Sequence, residues 1–191
     1  MSTATIKDIY QNLPNLETHR LVLRKVRKGD VLDIFTYSSD IEVTRFLRWG
    51  PHQVEKDTEN YINEVLVQYR EGQDGSWAIE LKQNNSIIGH IHLMEIDVLH
   101  RKAQIGFVLS KSYWNKGIMT EALISVLEYS FETLGLNRLE GLCISSNPAA
   151  IRVLEKVGMK KEGVLREYLF QKGTIWDVAV YAILKKEFQK G

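Results

Sequence analysis

The feature that most constrains this chain is a change of hydrophobic period between residues 103 and 134. The apolar run Ala103–Leu109 is typical of a strand, whereas apolar residues recur at helical spacing over Thr120–Leu134. Between them lies a polar loop with a single glycine, Gly117. The first N–H groups of a helix lack intrahelical partners, so this junction predicts an anion site, although such a junction is more often a simple turn.

Composition limits the classes of protein that this chain can be. Its 191 residues, 44% hydrophobic and 26% charged, predict one globular domain over residues 1–191, with residues 1–15 as an N-terminal extension. A formal charge of +1 gives no field that would draw the chain to nucleic acid or to a membrane. Without a recognisable signal peptide or membrane span, a cytoplasmic location is expected. The single cysteine, Cys143, excludes an intrachain disulfide and a cysteine-based metal cluster, and no metal is expected.

The rest of the pattern predicts an α+β fold, with about seven strands in a mostly antiparallel sheet and about four helices. Apolar and β-branched runs between turn residues predict the strands. These runs are Leu21–Val26, Trp77–Leu81, Ile87–Met94, Ala103–Leu109, Leu139–Ile144, Val164–Phe170 and Trp176–Leu184. Besides the helix after Gly117, helices are predicted after the N-cap Asp30, over Glu55–Arg70, and from Asn147-Pro148 to Gly158.

The glycine loop resembles the acyl-CoA motif of the GNAT superfamily of N-acetyltransferases, which reads Gln/Arg-x-x-Gly-x-Gly/Ala. Here Trp114 takes the first position, Gly117 the central glycine and Met119 the last small residue. The branch that acetylates ribosomal-protein N-termini commonly reads Tyr-Trp-Gly-Lys-Gly-Tyr-Ala-Thr-Glu-Ala. The segment Tyr113–Ala122 is similar to it, with Asn115 for the first glycine.

The resemblance to this branch extends beyond the loop. Three further segments are similar to it, in the same order along the chain: Leu16–Arg24, Asn147–Gly158, and Gly163–Tyr168 with Asp177. Ordered matches of this kind are far more specific than a lone glycine loop.

The resemblance implies a GNAT-type sheet that splays apart at an acyl-CoA site, with acetyl-CoA as co-substrate. Pantetheine would pair with the strand that ends at Leu109, as in β-augmentation, and the pyrophosphate would bind the loop amides. Asn147 would hold pantetheine from the other wall, and the Arg152 and Lys156 side chains would reach the phosphates or the adenine, although a solvated helix face is equally typical of them. The cofactor residues implied are Phe107, Val108, Leu109, Trp114, Asn115, Lys116, Gly117, Ile118, Met119, Thr120, Asn147, Arg152 and Lys156.

The residues that would move protons are harder to predict. Transfer of an acyl group from a thioester to an amine requires a base, donors for the oxyanion, and a proton for the departing thiolate. Many relatives carry Glu where this chain has Gln104, whose amide can orient a group but cannot take a proton. The candidate catalytic residues are Glu140, Gln104 and Tyr168, and a water chain is an alternative to a single base. Backbone N–H groups near Val108 and Leu109 are the candidate oxyanion donors.

The acceptor is expected to meet Trp49, His92 and Asp177. Trp49 follows Arg45, Phe46 and Arg48, and this aromatic–basic cluster would recognise a peptide or an anionic substrate, or else pack the next helix onto the sheet. His92 and Glu95 lie in the strand before the motif strand and are further candidates for the base, although a surface or edge position is more typical of both. Asp177, on the last strand, is either structural or acceptor-binding.

Two functions remain open from the sequence. The first is an N-acyltransferase that acetylates a protein N-terminus or a small amine. The second is an acyl-CoA-binding sensor that has lost the chemistry, which Gln104 and Ala150 keep open. A nucleotide-binding protein is disfavoured, because the loop follows a meander and has no Gly-Lys-Ser/Thr ending. A homodimer is expected by analogy with the family.

Overall fold

A computed structural model of the chain describes residues 5–73 and 75–188. Its helices are α1 (Ile6–Gln11), α2 (Val31–Ser38), α3 (Ile41–Thr44), α4 (Glu55–Glu71), α5 (Ile118–Glu128) and α6 (Pro148–Lys156). Its strands are β1 (Leu16–Glu17), β2 (Leu21–Lys25), β3 (Gly75–Leu81), β4 (Ser86–Asp97), β5 (Lys102–Leu109), β6 (Arg138–Ile144), β7 (Lys160–Gln171) and β8 (Thr174–Leu184). Among the helices of these two ranges, none is long and apolar enough to cross a bilayer.

The strands form one sheet in the order β1-β2-β3-β4-β5-β6-β8-β7. Every neighbouring pair is antiparallel except β5 and β6, which run parallel. The predicted α+β fold with a mostly antiparallel sheet is confirmed. The described ranges hold eight strands instead of seven, because the two-residue edge strand β1 is too short to give a periodic signal.

The described helices number six instead of four, because α1 and α3 were not predicted. Helix α1 lies in the segment expected to be an extension, yet Ile9 and Tyr10 are buried in the hydrophobic core. The Gln11 side chain also donates to the Arg70 carbonyl at the end of α4. This segment therefore packs as part of the core.

The two faces of the sheet carry different helices. Tyr37 of α2 packs against His90 of β4, with ring centroids 6.0 Å apart, while Trp77 of β3 packs against Tyr129, just beyond α5, at 5.7 Å. Since side chains alternate along a strand, His90 and the paired Ala78 lie on the α2 face, and Trp77 lies on the α5 face. We call these the α2 face and the α5 face.

Asp30 does not cap α2 through its side chain as predicted. Instead its carboxylate accepts two bonds from the Arg24 guanidinium, at 2.9 Å each, and one from the Arg27 N–H. Arg24 also donates to Glu80 at 2.5 Å. Arg24 is 5% exposed and Asp30 7% exposed, so the three side chains form a buried ion cluster beneath α2.

Candidate active site

The candidate active site begins where β5 and β6 separate. Their parallel pairing covers four pairs and ends at Ile105–Gly141. Beyond that point β5 continues to Leu109 and β6 to Ile144 without pairing with each other. The two strands therefore open a gap, as the sequence resemblance implied.

The backbone of β5 presents alternate residues to this gap. The Ser110 N–H donates to the Ile88 carbonyl on the β4 side, so by alternation the backbone groups of Phe107 and Leu109 point toward the gap. The backbone N–H and carbonyl of Val108 point toward β4. The Leu109 carbonyl already accepts the Trp114 indole N–H at 2.8 Å. The gap thus keeps the N–H groups of Phe107 and Leu109, and the Phe107 carbonyl, as its backbone donors and acceptor.

The glycine loop lies between β5 and α5 in a conformation that exposes its amides. Asn115 has φ of 59° and Gly117 has φ of 72°, with Lys116 between them on the right-handed side. Alternating handedness turns successive N–H groups to one side, which is the geometry of anion-binding nests. Asn115 replaces the glycine usual in the branch, and Asn is the side chain that tolerates a left-handed φ best. The first α5 N–H groups add to the same site.

The side chains of this segment divide by burial. Asn115 and Lys116 are exposed, with the Lys116 ammonium 5.5 Å from the Tyr113 ring. Ile118 and Met119 are buried in the core, so only their backbone can face a ligand. Met119 fills core space where the family motif has a small residue.

Arg20 is a cation at this loop that the sequence did not indicate. Its guanidinium donates to the Lys116 carbonyl at 3.0 Å and to the Glu121 carboxylate at 2.6 Å. Thr18 and the Arg20 N–H also donate to Glu121. Burial alone would raise the pKa of Glu121, but these hydrogen bonds outweigh it, so the pKa lies below its ordinary value. We call Thr18, Arg20 and Glu121 the α5 clamp.

We expect Arg20→Gln to weaken coenzyme A binding about tenfold, because Glu121 would then face the phosphates without its partner cation. Titration calorimetry with coenzyme A measures the loss. The double variant Arg20→Gln/Glu121→Gln removes both charges and should recover part of the lost coenzyme A affinity. Equal losses in the single and double variants would contradict a charge effect.

On the other wall of the gap, α6 starts at the predicted N-cap. The Asn147 side-chain oxygen accepts the Ala150 N–H at 3.2 Å, which leaves its amide nitrogen to donate to a ligand. Arg152 and Lys156 are exposed on α6. Burial raises the pKa of Cys143, in β6, to about 11, so its thiolate is scarce at neutral pH.

The three candidate catalytic residues do not come together. Gln104 and Glu140 are register partners at the last stretch of the β5–β6 pairing. Glu140 accepts from Arg138 at 2.7 Å, and Gln104 donates to Glu95 at 2.5 Å, across a bulge in β4 where Glu95 has φ of 50°. Tyr168 lies away from them on the exposed edge strand β7.

The hairpin β7–β8 is tied to the segment before α4. The Lys172 ammonium donates to the Thr44 carbonyl at 2.6 Å, and the Phe46 ring packs edge-on against Trp176 at 6.2 Å. Asp177 accepts the Glu167 N–H at 2.8 Å and is exposed. The Asp177 carboxylate therefore binds within the hairpin, while its backbone carbonyl accepts the Ser145 N–H at 2.9 Å.

A pocket of about 400 Å³ lies where α2, the loop after α3, and α4 converge. It combines carboxylates with aromatic rings. Its lining residues are Ser38, Trp49, His52, Asp57, Asn60, Tyr61 and Glu64. Asp57 accepts the N–H groups of Gln53 and Val54, which lowers its pKa, while burial lowers the pKa of His52. At neutral pH the pocket is therefore negatively charged.

A chain of aromatic rings joins this pocket to the sheet. Centroid distances are 5.3 Å for Trp49–His52, 6.2 Å for His52–Tyr61, 6.0 Å for Tyr61–His90 and 4.8 Å for His90–His92. His92 is half-buried and is the register partner of Gly106, the first β5 residue past the β5–β6 pairing. The chain thus leads from the pocket to the start of the gap.

Comparison with known proteins decides the family. The chain matches the GNAT acetyltransferase domain, Acetyltransf_3, over residues 20–160. The chain belongs to the GNAT acetyltransferase family. It is similar to YoaA, an uncharacterized N-acetyltransferase of Bacillus subtilis strain 168, with 36% identity over 172 residues, 90% of this chain and 97% of YoaA. Spermidine N1-acetyltransferase of Vibrio cholerae is 25% identical over 169 residues, 88% of this chain and 95% of that protein.

Solved structures agree with this assignment. A GNAT acetyltransferase from Bacillus anthracis matches with a TM-score of 0.82 and 29% identity over 91% of this chain and all of that one. RimL, a ribosomal alpha-N-protein acetyltransferase solved in complex with coenzyme A, matches with a TM-score of 0.78 over 90% of this chain and 98% of its own. At 20% identity this second likeness shows the fold alone. This GNAT protein is an acetyl-CoA-dependent N-acetyltransferase.

Several residues at the site, among them His90, were missed in the sequence. His90 is two residues from the predicted His92 on a predicted strand, so their shared face was readable. Asp57, Asn60 and Glu64 share a helix face by their spacing, but nothing in the sequence places a pocket beside them. Arg20 reaches the loop only through the packing of the turn between β1 and β2 against α5, which no local pattern shows.

Proposed function

We propose that this protein transfers the acetyl group of acetyl-CoA to a primary amine of a small organic cation of the diamine or polyamine class. The acidic, aromatic pocket at one end of the ring chain carries this proposal. The carboxyl groups of Asp57 and Glu64 suit ammonium groups, and Trp49 and Tyr61 offer ring faces for cation–π contacts. Neutral His52 adds no repelling charge. The name of the Vibrio cholerae relative supports the same class.

The residues of this chain fit acetyl-CoA. The loop amides and Arg20 suit the pyrophosphate, and the backbone of Phe107 and Leu109 suits pantetheine in the gap. The thioester carbonyl would then lie near the N–H groups of Phe107 and Leu109, which can stabilise an oxyanion. Acetyl-CoA supplies the activated acyl group, and the protein supplies orientation and the proton acceptor.

A second acceptor class, a protein N-terminus, is favoured by a different observation. Arg45 and Arg48 are exposed in the loop that precedes the pocket, and they would attract an acidic peptide. The similarity of Tyr113–Ala122 to the ribosomal branch supports this class too. An acceptor panel separates the two: acetyl-CoA is supplied with spermidine, a diamine, an aminoglycoside, an amino acid or N-terminal peptides, and released thiol is measured. Turnover with peptides alone would overturn the polyamine proposal.

We expect Glu64→Gln to raise the KM for a polyamine about tenfold with a smaller change in kcat, because it removes one pocket charge that holds the distal ammonium. Steady-state kinetics with spermidine measures the effect. Glu59→Gln is the matched control, since Glu59 lies on another face of α4 and pairs with Lys56 at 2.8 Å. An equal KM change in both variants would mean that only general electrostatics is involved.

The sensor hypothesis rests on Gln104, which cannot act as a base. It predicts coenzyme A binding in calorimetry with no thiol release for any acceptor in the panel.

The homodimer and the cytoplasmic location also stay predictions. The dimer is supported by apolar side chains exposed on the β7–β8 hairpin, Tyr168, Phe170 and Ile175.

A further inference from the structure

We infer that His92 is the group that accepts the proton of the acceptor amine, and that His90 and Tyr37 position it. This inference rests on the proposed amine acetylation. It starts from a shared face: His90 and His92 alternate on β4 with Ile91 between them, and both lie on the α2 face.

The position of His92 suits a group that meets the acceptor. Its register partner Gly106 is at the place where β6 leaves β5 and has no side chain, and the flexible Met94 side chain reaches to 2.9 Å from the position that a Cβ there would take. Adjacent strands are about 4.8 Å apart, so the start of the gap is roughly one strand spacing beyond Gly106. Phe107, whose N–H and carbonyl face the gap, is the next residue of β5. The backbone of His92 is therefore about two strand spacings, roughly 10 Å, from the expected place of the thioester, a distance that its side chain and an acceptor amine between them can span.

His90 is placed to hold the position of its neighbour His92. It is 5% exposed, and its Nδ1 lies 3.0 Å from the Tyr37 hydroxyl. Burial, and then repulsion from His92, hold the pKa of His90 well below its ordinary value, and burial holds the pKa of Tyr37 well above its own. The hydrogen bond between the Tyr37 hydroxyl and Nδ1 fixes the orientation of the His90 ring, whose centroid lies 4.8 Å from that of His92. A neutral His90 adds no positive charge beside His92.

Other titratable groups near the pair are accounted for. The carboxylate of Glu95 accepts from Gln104, and that of Glu140 accepts from Arg138, so both already bind a donor. β3 contributes Ser76 and β5 contributes Gly106 as register partners of His92, and neither titrates. The packed helices add the hydroxyls of Tyr37, Tyr61 and Tyr69, and the pocket at the far end of the ring chain adds the carboxylates of Asp57 and Glu64.

The proton balance of the step is simple. The ammonium of the acceptor gives one proton to the His92 imidazole, and the freed lone pair forms the C–N bond at the acetyl carbonyl carbon. The C–S bond then breaks, and the second N–H proton moves to the departing sulfur. His92 releases its proton to solvent, so one proton is liberated for each acetyl group transferred.

The test is His92→Gln, which keeps a polar side chain of similar reach but cannot titrate near neutral pH. We expect kcat/KM at pH 7 to fall by about 10²- to 10⁴-fold. We also expect the profile to change shape. The kcat/KM of the wild type should level off as the pH rises, whereas that of the variant should keep rising, because the variant depends on the amine losing its proton unaided. Coenzyme A binding by calorimetry should be unchanged.

Three further variants make the outcome decisive. His100→Gln is the matched control, since His100 is exposed and pairs with Asp97 at 2.8 Å, and it should change nothing. Tyr37→Phe should give a smaller loss in kcat/KM, and the acidic side of its pH profile should shift. Glu95→Gln tests the rival base. A wild-type profile in His92→Gln, or the loss appearing in Glu95→Gln instead, would overturn the inference. An inactive wild type would instead refute the proposed function.

Discussion

In Gly117→Val, coenzyme A binding should fall at least about a hundredfold while the chain stays folded. Gly117 has φ of 72°, and a side chain there costs about 1–2 kcal/mol. The chain can relieve this strain by rotating the peptide, which would turn the loop amides away from the pyrophosphate. Losing two hydrogen bonds to a charged group, at about 1.5–3 kcal/mol each, accounts for the loss.

Gly135→Val separates the loss of the site from simple backbone strain. Gly135 also has a left-handed φ, 69°, and an added Cβ would meet nothing within 4 Å, but it lies beyond the other end of the α5 helix. We expect similar destabilisation in both variants and normal coenzyme A affinity in Gly135→Val alone. Calorimetric affinity within a few-fold of wild type in Gly117→Val would mean that the loop does not bind the cofactor.

Arg24→Ala should lower the free energy of unfolding by about 3–5 kcal/mol, the usual effect of leaving buried charges unpaired. Arg24 holds Asp30 through two hydrogen bonds and Glu80 through one. Its removal leaves two carboxylates beneath α2 without their cation. For a chain of this size the loss corresponds to a fall in Tm of about 6–20 °C. Urea unfolding and thermal unfolding both measure it.

Arg138→Ala is the matched control for this prediction. Arg138 also binds two carboxylates, Glu140 and Glu162, but its side chain is 24% exposed against 6% for Arg24. Solvent screens such a pair, so we expect a loss of at most about 1 kcal/mol. Equal losses in Arg24→Ala and Arg138→Ala would mean that the burial of the ion pair does not decide its contribution to stability.

Most of the sheet was predictable because its strands carry continuous apolar runs between turn residues. β1, α1 and α3 were not, since elements of two, six and four residues hold too few positions for a period to show. Asp30 shows a different limit: an acidic residue before a helix has the features of an N-cap, and only packing reveals that Arg24 takes its carboxylate. The ion pair with Arg24 thus prevails over the local preference of Asp30 for an N-cap position.

Much of the cofactor half of the site follows from local sequence, because one strand, one loop and one helix N-terminus supply most of it, whereas Arg20 joins it only through the tertiary fold. The acceptor half does not. His92, Glu64 and Trp49 lie on a strand, a helix and a loop that only the tertiary fold brings along one line of rings. The identity of a base depends on such neighbours, which explains why Glu140, Gln104 and Tyr168 were all plausible before the fold was known.

The α5 clamp couples two segments that are about a hundred residues apart in the chain, so that stabilising one should also stabilise the other. Ligand binding stabilises whatever must be ordered to form the site, by an amount that grows with the logarithm of ligand concentration. Since Glu121 is held by Thr18 and by the N–H and guanidinium of Arg20, that stabilisation reaches the turn between the first two strands. In hydrogen-exchange measurements, amides of this turn should therefore slow on addition of coenzyme A, although the turn is far from the loop in the chain.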